Sequence, residues 1–242
     1  MDDNEFDRAL IGAAFDIAAE RGWDRVTVAA AARRAELKLD RARARFPGRP
    51  AILLRFGRLA DLAALAEAPA SDEAAAVESA RDQLFAMLMR RIDLLQAHRA
   101  GVLALMRFLP GSPGAALLLK CATERSMAWL LDAAGIPVSG VRGVLRAKGL
   151  LAVWLLTLRA WSRDESADLS ATMRALDEAL RRAERMEEMM PGGMRSRQPP
   201  ADDVSSPGPV VEPTVLEPEP PAAPPPAPPE PEPPPVVEPP PV

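Results

Sequence analysis

The chain has 242 residues and a formal net charge of −4, from 30 Lys and Arg against 34 Asp and Glu, with one cysteine, one histidine and no tyrosine. A single cysteine excludes an internal disulfide framework, and a single histidine argues against a His-based metal site and against a Ser-His or Cys-His catalytic pair. The charge is unevenly spread: residues 199–242 carry eight acids and no base, so residues 1–198 are net positive.

The start, MDDNEFD, is acidic and lacks the basic-then-apolar pattern of a signal peptide. Residues 5–21 read as the first helix, with Phe6, Leu10, Ala13, Ala14, Ile17 and Ala18 on one face. Gly22 stops it, and Trp23 is expected to pack in the core beneath the next helix. Thr27 is a good N-cap for a second, alanine-rich helix, Val28 to Arg34, and its hydroxyl could also meet a phosphate. Ala35-Glu36-Leu37 makes a turn. A third helix follows from about Lys38 to Arg45, with Leu39, Ala42 and Phe46 expected inward.

This third helix concentrates charge. Residues 21–58 hold eleven Arg or Lys and three acids, a balance that suits a polyanion. Arg41 and Arg45 are four apart and share one face, Lys38 extends the stripe, and Arg43 adds a further cation. Two readings stand for this surface, a solvated basic face and a DNA groove or phosphate contact, and the shortage of acidic partners favours the second. Pro47-Gly48 ends the helix, and Pro50 suits the first turn of a fourth helix reaching Glu67. Arg49 at its N-terminus opposes the helix macrodipole, which favours a nearby anion. The candidate DNA contacts are therefore Thr27, Lys38, Arg41, Arg43, Arg45 and Arg49.

Residues 6–60 resemble the DNA-binding domain of the TetR family of bacterial transcription regulators. The family pattern is a capping Thr, an Ala pair, an Ala-Gly-Val turn, a short recognition helix ending in aromatic-x-x-Phe, and a Lys opening helix four. Thr27, Ala32, Ala35, Leu37 and Phe46 match it without gaps, with Arg49 in place of the Lys. Glu36 stands where Gly is usual, Lys38 where Ser is common and Arg43 where Tyr is typical. A non-Gly residue at a positive φ costs about 1 kcal/mol, which points to an altered turn. The resemblance implies an all-α fold: an N-terminal three-helix helix-turn-helix domain and a C-terminal helical domain for effector binding and dimerisation. It also implies a homodimer on double-stranded DNA, a repressor released by a small molecule.

Pro69 and Ser71-Asp72-Glu73 mark a boundary, so the expected domains are 1–68, 69–190 and a tail, 191–242. Helices are expected at about 73–98, 101–109, 114–134, 139–163 and 168–190, with strong breaks at Pro110-Gly111-Ser112-Pro113 and Gly135-Ile136-Pro137. The helix at 139–163 is apolar on more than one face, and 168–190 carries a heptad-like seam. Leu151, Leu155, Leu158, Leu169, Met173, Leu176 and Leu180 are the candidate dimer interface, against the alternative of an intrachain core. Phe85, Met89, Met106, Phe108, Met127 and Trp129 suit a pocket for a small apolar effector and equally suit an ordinary core. Cys121 is expected to be buried, and His98 to cap the C-terminal end of a helix dipole.

Residues 199–242 hold 20 of the 27 prolines and are expected to be disordered. The most apolar run, Gly149 to Leu158, is too short to span a bilayer, so a cytoplasmic protein without cofactor or metal is the expectation. An enzyme is disfavoured because no His, Cys or carboxylate constellation stands out. A competing function is a lipid or isoprenoid carrier. The lipid-binding protein of ubiquinone biosynthesis shares the same fold and is similar at Gly22-Trp23 and from Trp161 to Ala179. That family ends in an amphipathic membrane helix, whereas the acidic tail here is repelled by anionic membranes.

Overall fold

The first helix, α1 (Asp3–Arg21), starts in a capping box. The Asp2 side chain accepts the Glu5 N–H at 2.7 Å, and the Glu5 carboxylate accepts the Asp2 N–H at 2.9 Å. Gly22 ends α1 at φ 88°, and a 3₁₀ turn over Trp23–Arg25 folds Trp23 into the core. The Thr27 hydroxyl caps α2 (Val28–Arg34) by accepting the Ala30 N–H at 3.1 Å. Then come α3 (Leu39–Arg45) and α4 (Arg49–Leu65), which has Pro50 in its first turn. This computed structural model describes residues 1–66 and 79–189. The expected boundary at 68 and its Ser71 cap lie outside the described residues, as does the whole expected tail, 191–242.

Ser79 caps α5 (Ala80–Gln96), accepting the Asp82 N–H at 3.1 Å. The rest comprises α6 (Arg99–Phe108), a 3₁₀ turn at Leu109–Gly111, α7 (Pro113–Ala133), α8 (Gly140–Trp161) and α9 (Ser170–Glu188). The described residues contain no strand, as expected, and no single helix among them is long and apolar enough to cross a membrane.

The core is continuous from α1 to α9. α1 packs on α2 and α6, α4 on α5 and α7, and α8 lies between α7 and α9. The α1–α6 approach is close enough that a Cβ on Gly101 would sit 2.4 Å from the Phe15 carbonyl oxygen. Phe15 in turn packs on Phe56 (4.4 Å between ring centres) and Trp23 (5.4 Å). His98, expected to cap the C-terminal end of a helix dipole, instead sits at the start of α6 and faces the core. It stacks on Phe15 at 5.5 Å and meets the edge of Phe56 at 5.8 Å, and burial pushes its pKa below 6.5 against the opposing charge of Asp16.

One charge is deeply buried. Arg91 of α5 donates to Asp61 of α4 and to Ser126 of α7, with its guanidinium 5.0 Å from the Trp154 ring of α8. Burial lowers the Arg91 pKa, and the Asp61 charge opposes that shift. Four helices therefore meet on one guanidinium, an arrangement that fixes relative position more than it adds stability.

The dimer seam expected at α8 and α9 is largely intrachain. Leu176 is 0% exposed, and Leu151, Leu169 and Leu180 are also buried within the single chain. Their periodic stripe on α9 is the face that packs on α8, so apolar periodicity there reports the core. Of the seven residues, Leu155 alone is exposed, at 56%. Cys121, expected inside, is exposed on α7.

Candidate nucleic-acid interface

The short helix α3 is seated by small and charged side chains. Ala31 and Ala32 of α2 are fully buried, as are Ala42 of α3 and Phe46 at its end. The turn before it keeps its tight form: Glu36 takes φ 54°, and the Leu37 N–H reaches the Ala32 carbonyl at 2.8 Å. The expected alteration does not occur, and the conformational cost falls on Glu36 itself.

Arg41 and Arg45 share one face, as their spacing required, but that face turns toward α1. Arg41 donates to Asp3 at 2.6 Å and lies 4.5 Å from the centre of the Phe6 ring. Arg45 makes a bidentate pair with buried Asp7, at 2.7 and 2.9 Å, and a second pair with Asp3 at 2.5 Å. Arg55 of α4 also donates to Asp7, so one carboxylate ties α1, α3 and α4 together. The Arg45 pKa is raised, chiefly by its hydrogen bonds to Asp7. The Asp3 pKa is lowered, chiefly by its hydrogen bond from Arg41. The two arginines are thus the anchor of α3 rather than its free surface.

Because the 41/45 flank faces α1, the opposite flank faces out. Leu39, expected inward, is 49% exposed, and Asp40, Arg43 and Ala44 are exposed beside it. Residues 40 and 44 lie about 160° around the helix from Ala42 at 100° per residue. Arg43 donates to the Pro47 carbonyl and stays exposed, and Lys38 is exposed at the helix start. A cleft of about 570 Å³ runs between the starts of α2 and α4 and this flank of α3, lined by Thr27, Val28, Leu39, Arg43, Pro47 and Arg49 among others.

Arg49 needs no anion to offset its place at a helix N-terminus. It donates to the carbonyls of Trp23 (3.2 Å) and Asp24 (3.3 Å) and lies 5.2 Å from the centre of the Phe108 ring. The structure therefore brings Thr27, Arg43 and Arg49 to one cleft and turns Arg41 and Arg45 away. Asp3, Asp7 and Arg55 were missed by sequence reasoning, although Asp3 and Asp7 stand four apart like Arg41 and Arg45, a matched spacing visible in the sequence. Leu39, Asp40 and Ala44 face outward because the pairing of Arg41 and Arg45 with the acids of α1, and not the apolar Leu39, sets the rotation of α3.

Two further sets are redistributed. The outward face of α8 carries Val141, Val144, Leu145, Ala152, Leu155 and Leu156, all exposed and at three and four spacing. Of the effector residues, Met127 is fully buried and Phe85, Met89, Met106 and Phe108 pack half-buried at the edge of the core, while Trp129 is 63% exposed. Trp129 therefore lines no common pocket with Met127: neighbours two apart on a helix point to different sides. Among the described residues no group of His, Cys, Asp and Glu could hold a metal ion.

This architecture is the TetR fold: an N-terminal helix-turn-helix followed by a bundle of longer helices. The TetR transcriptional regulator from Nitrosomonas europaea superimposes with a TM-score of 0.59 at 24% identity, over 74% of this chain and 98% of that one. A TetR-family transcriptional regulator from Streptomyces coelicolor superimposes with a TM-score of 0.51 at 20% identity, over 78% and 86% of the two chains. No family model matches the sequence, and no curated protein matches it.

Proposed function

We propose that the chain is a homodimeric, DNA-binding transcription regulator that uses α3 as its recognition helix. The observation that carries this reading is the seating of α3. Ion pairs hold one flank, and the other is presented to solvent beside a cleft where Thr27, Arg43 and Arg49 converge. A helix held in this way by a small helical scaffold suits the major groove, with the cleft residues positioned for phosphates. The likeness to solved TetR regulators supports the same reading.

The dimer uses the outward face of α8. Val144, Leu145, Leu155 and Leu156 form an exposed apolar stripe, each about half-exposed, of the kind that marks an interaction site. Two-fold pairing also supplies the second helix-turn-helix that a specific operator needs. Control by a small apolar effector is part of the proposal and rests on Phe85, Met89, Met106 and Phe108 at the edge of the core.

Anisotropy of a labelled duplex tests the DNA reading. The Lys38→Ala/Arg43→Ala double variant removes two exposed cations and no core contact. Its binding is expected to weaken by about 2 kcal/mol, with a shallower dependence on salt. Unchanged binding by the folded double variant overturns the assignment of α3. Light scattering tests the dimer: Leu145→Glu/Leu155→Glu is expected to leave a folded monomer, and a persistent dimer moves the interface elsewhere.

A further inference from the structure

The outward face of α3 is chemically odd for a surface that meets phosphates. It presents a half-exposed leucine and an acid ahead of its one arginine. Leu39 and Arg43 lie one turn apart on the cleft flank, and Asp40 and Ala44 lie one turn apart on the next stripe. Asp40 forms no hydrogen bond or ion pair with any described residue. Leu39 is likewise outside the buried set of this seven-residue helix, which is Ala42 alone.

A carboxylate entering the major groove is repelled by every phosphate, so it lowers binding to all sequences alike. That loss is offset only where a base edge supplies a donor. Cytosine presents its N4 amino group there, while guanine offers acceptors that repel a carboxylate and adenine pairs its amino donor with an acceptor. Leucine in the same groove has one apolar target, the thymine C5-methyl group. Residues 39 and 40 are adjacent at the start of α3, where a recognition helix meets base edges.

We infer that Asp40 and Leu39 set the operator sequence, Asp40 by accepting from the N4 amino group of a cytosine and Leu39 by packing on the methyl of a neighbouring thymine. The inference rests on the DNA-binding reading above and goes further, since it names the bases. Arg43 lies four residues beyond Leu39, about 6 Å along the helix, and so falls about two base steps away on a guanine or a phosphate.

The test is selection of bound duplexes from a random-sequence pool by the full-length protein, repeated with Asp40→Asn and Leu39→Ala. Both side chains are exposed, so neither change disturbs the core, and asparagine keeps the size of the acid. The wild-type chain is expected to enrich a motif with a cytosine at one position of each half-site. Asp40→Asn is expected to move that position to adenine, whose N6 and N7 match a carboxamide. Leu39→Ala is expected to relax a thymine preference at a neighbouring position. On defined duplexes, replacing the cytosine is expected to weaken wild-type binding by about tenfold. An unchanged motif for Asp40→Asn overturns the inference while leaving DNA binding intact. If the wild-type chain retains no duplex from the pool, the DNA-binding reading fails and the base assignment with it.

Discussion

Over its seven residues α3 buries one, Ala42, whereas α8 buries eight of twenty-two, including Trp154 and Trp161. The two helices are therefore held by different physics. An isolated helix of seven residues is unstable in water and has too little apolar surface to seat itself. Long arginine side chains reach from α3 to Asp3 and Asp7 on α1 instead. Directional ion pairs use one flank and leave the other free of apolar demands. α8 is long enough to be seated on its inner face alone, so its outer face remains available, and that face is apolar. An exposed flank therefore points to a partner only where the other flank already seats the helix, as ion pairs do for α3 and apolar packing does for α8.

The largest effect is expected where α8 and α9 meet. Leu176→Glu places a carboxylate at a fully buried site with no cation assigned to it and should cost about 4 kcal/mol or more. The protein should then be insoluble or melt without a cooperative transition. A normal melt would mean that α9 is not seated on α8.

Breaking the seat of α3 should cost less. Asp7→Ala removes the carboxylate shared by Arg45 and Arg55, and Arg45 keeps Asp3. A loss of about 2–3 kcal/mol in urea denaturation is expected, with amide exchange rising in α3 first. Asp3→Asn, at an exposed and solvent-screened carboxylate, should shift the urea midpoint far less than Asp7→Ala. Equal losses for the two variants would refute the view that Asp7 is the anchor.

A third variant should stabilise. Glu36 holds φ 54° between α2 and α3, and glycine takes that conformation without strain. Relief of the left-handed strain outweighs the added freedom of the unfolded chain, so Glu36→Gly should raise stability by about 0.5–1 kcal/mol. The urea midpoint should move up with an unchanged slope.

The smallest effect is a pH dependence at the α1–α6 contact. The folded-state pKa of His98 lies below 6.5 because burial between aromatic rings disfavours its charged form. The unfolded chain binds the proton more readily, so this stability is present above pH 6.5 and is lost as pH falls through the folded-state pKa. Melting temperatures at pH 5.5 and 7.5 should differ more for the wild-type chain than for His98→Gln.

Local signals were legible in the sequence alone. Gly22, Thr27, the Pro47-Gly48 break and the later proline breaks placed the helix ends of the described residues mostly within about two residues, because capping and φ restrictions act over single turns. The helix-turn-helix pattern was equally legible, and it led to the fold that the solved structures share. Arg91, by contrast, gave no sign in the sequence of its burial against Asp61, Ser126 and Trp154.

What the sequence determined by itself was which residues share a face: 41 with 45, 39 with 43, 169 with 173, 176 and 180. Helical geometry sets those groupings wherever the helix lies. Only the tertiary structure decided what each face meets. It turned Arg41 and Arg45 to the acids of α1, sent Leu39 and Asp40 outward, buried Leu176 inside one chain and left Leu155 outside. The physical reason is that periodicity sets a face only up to a rotation about the helix axis. That rotation is chosen by partners distant in sequence, such as Asp7 for Arg45, 38 residues away.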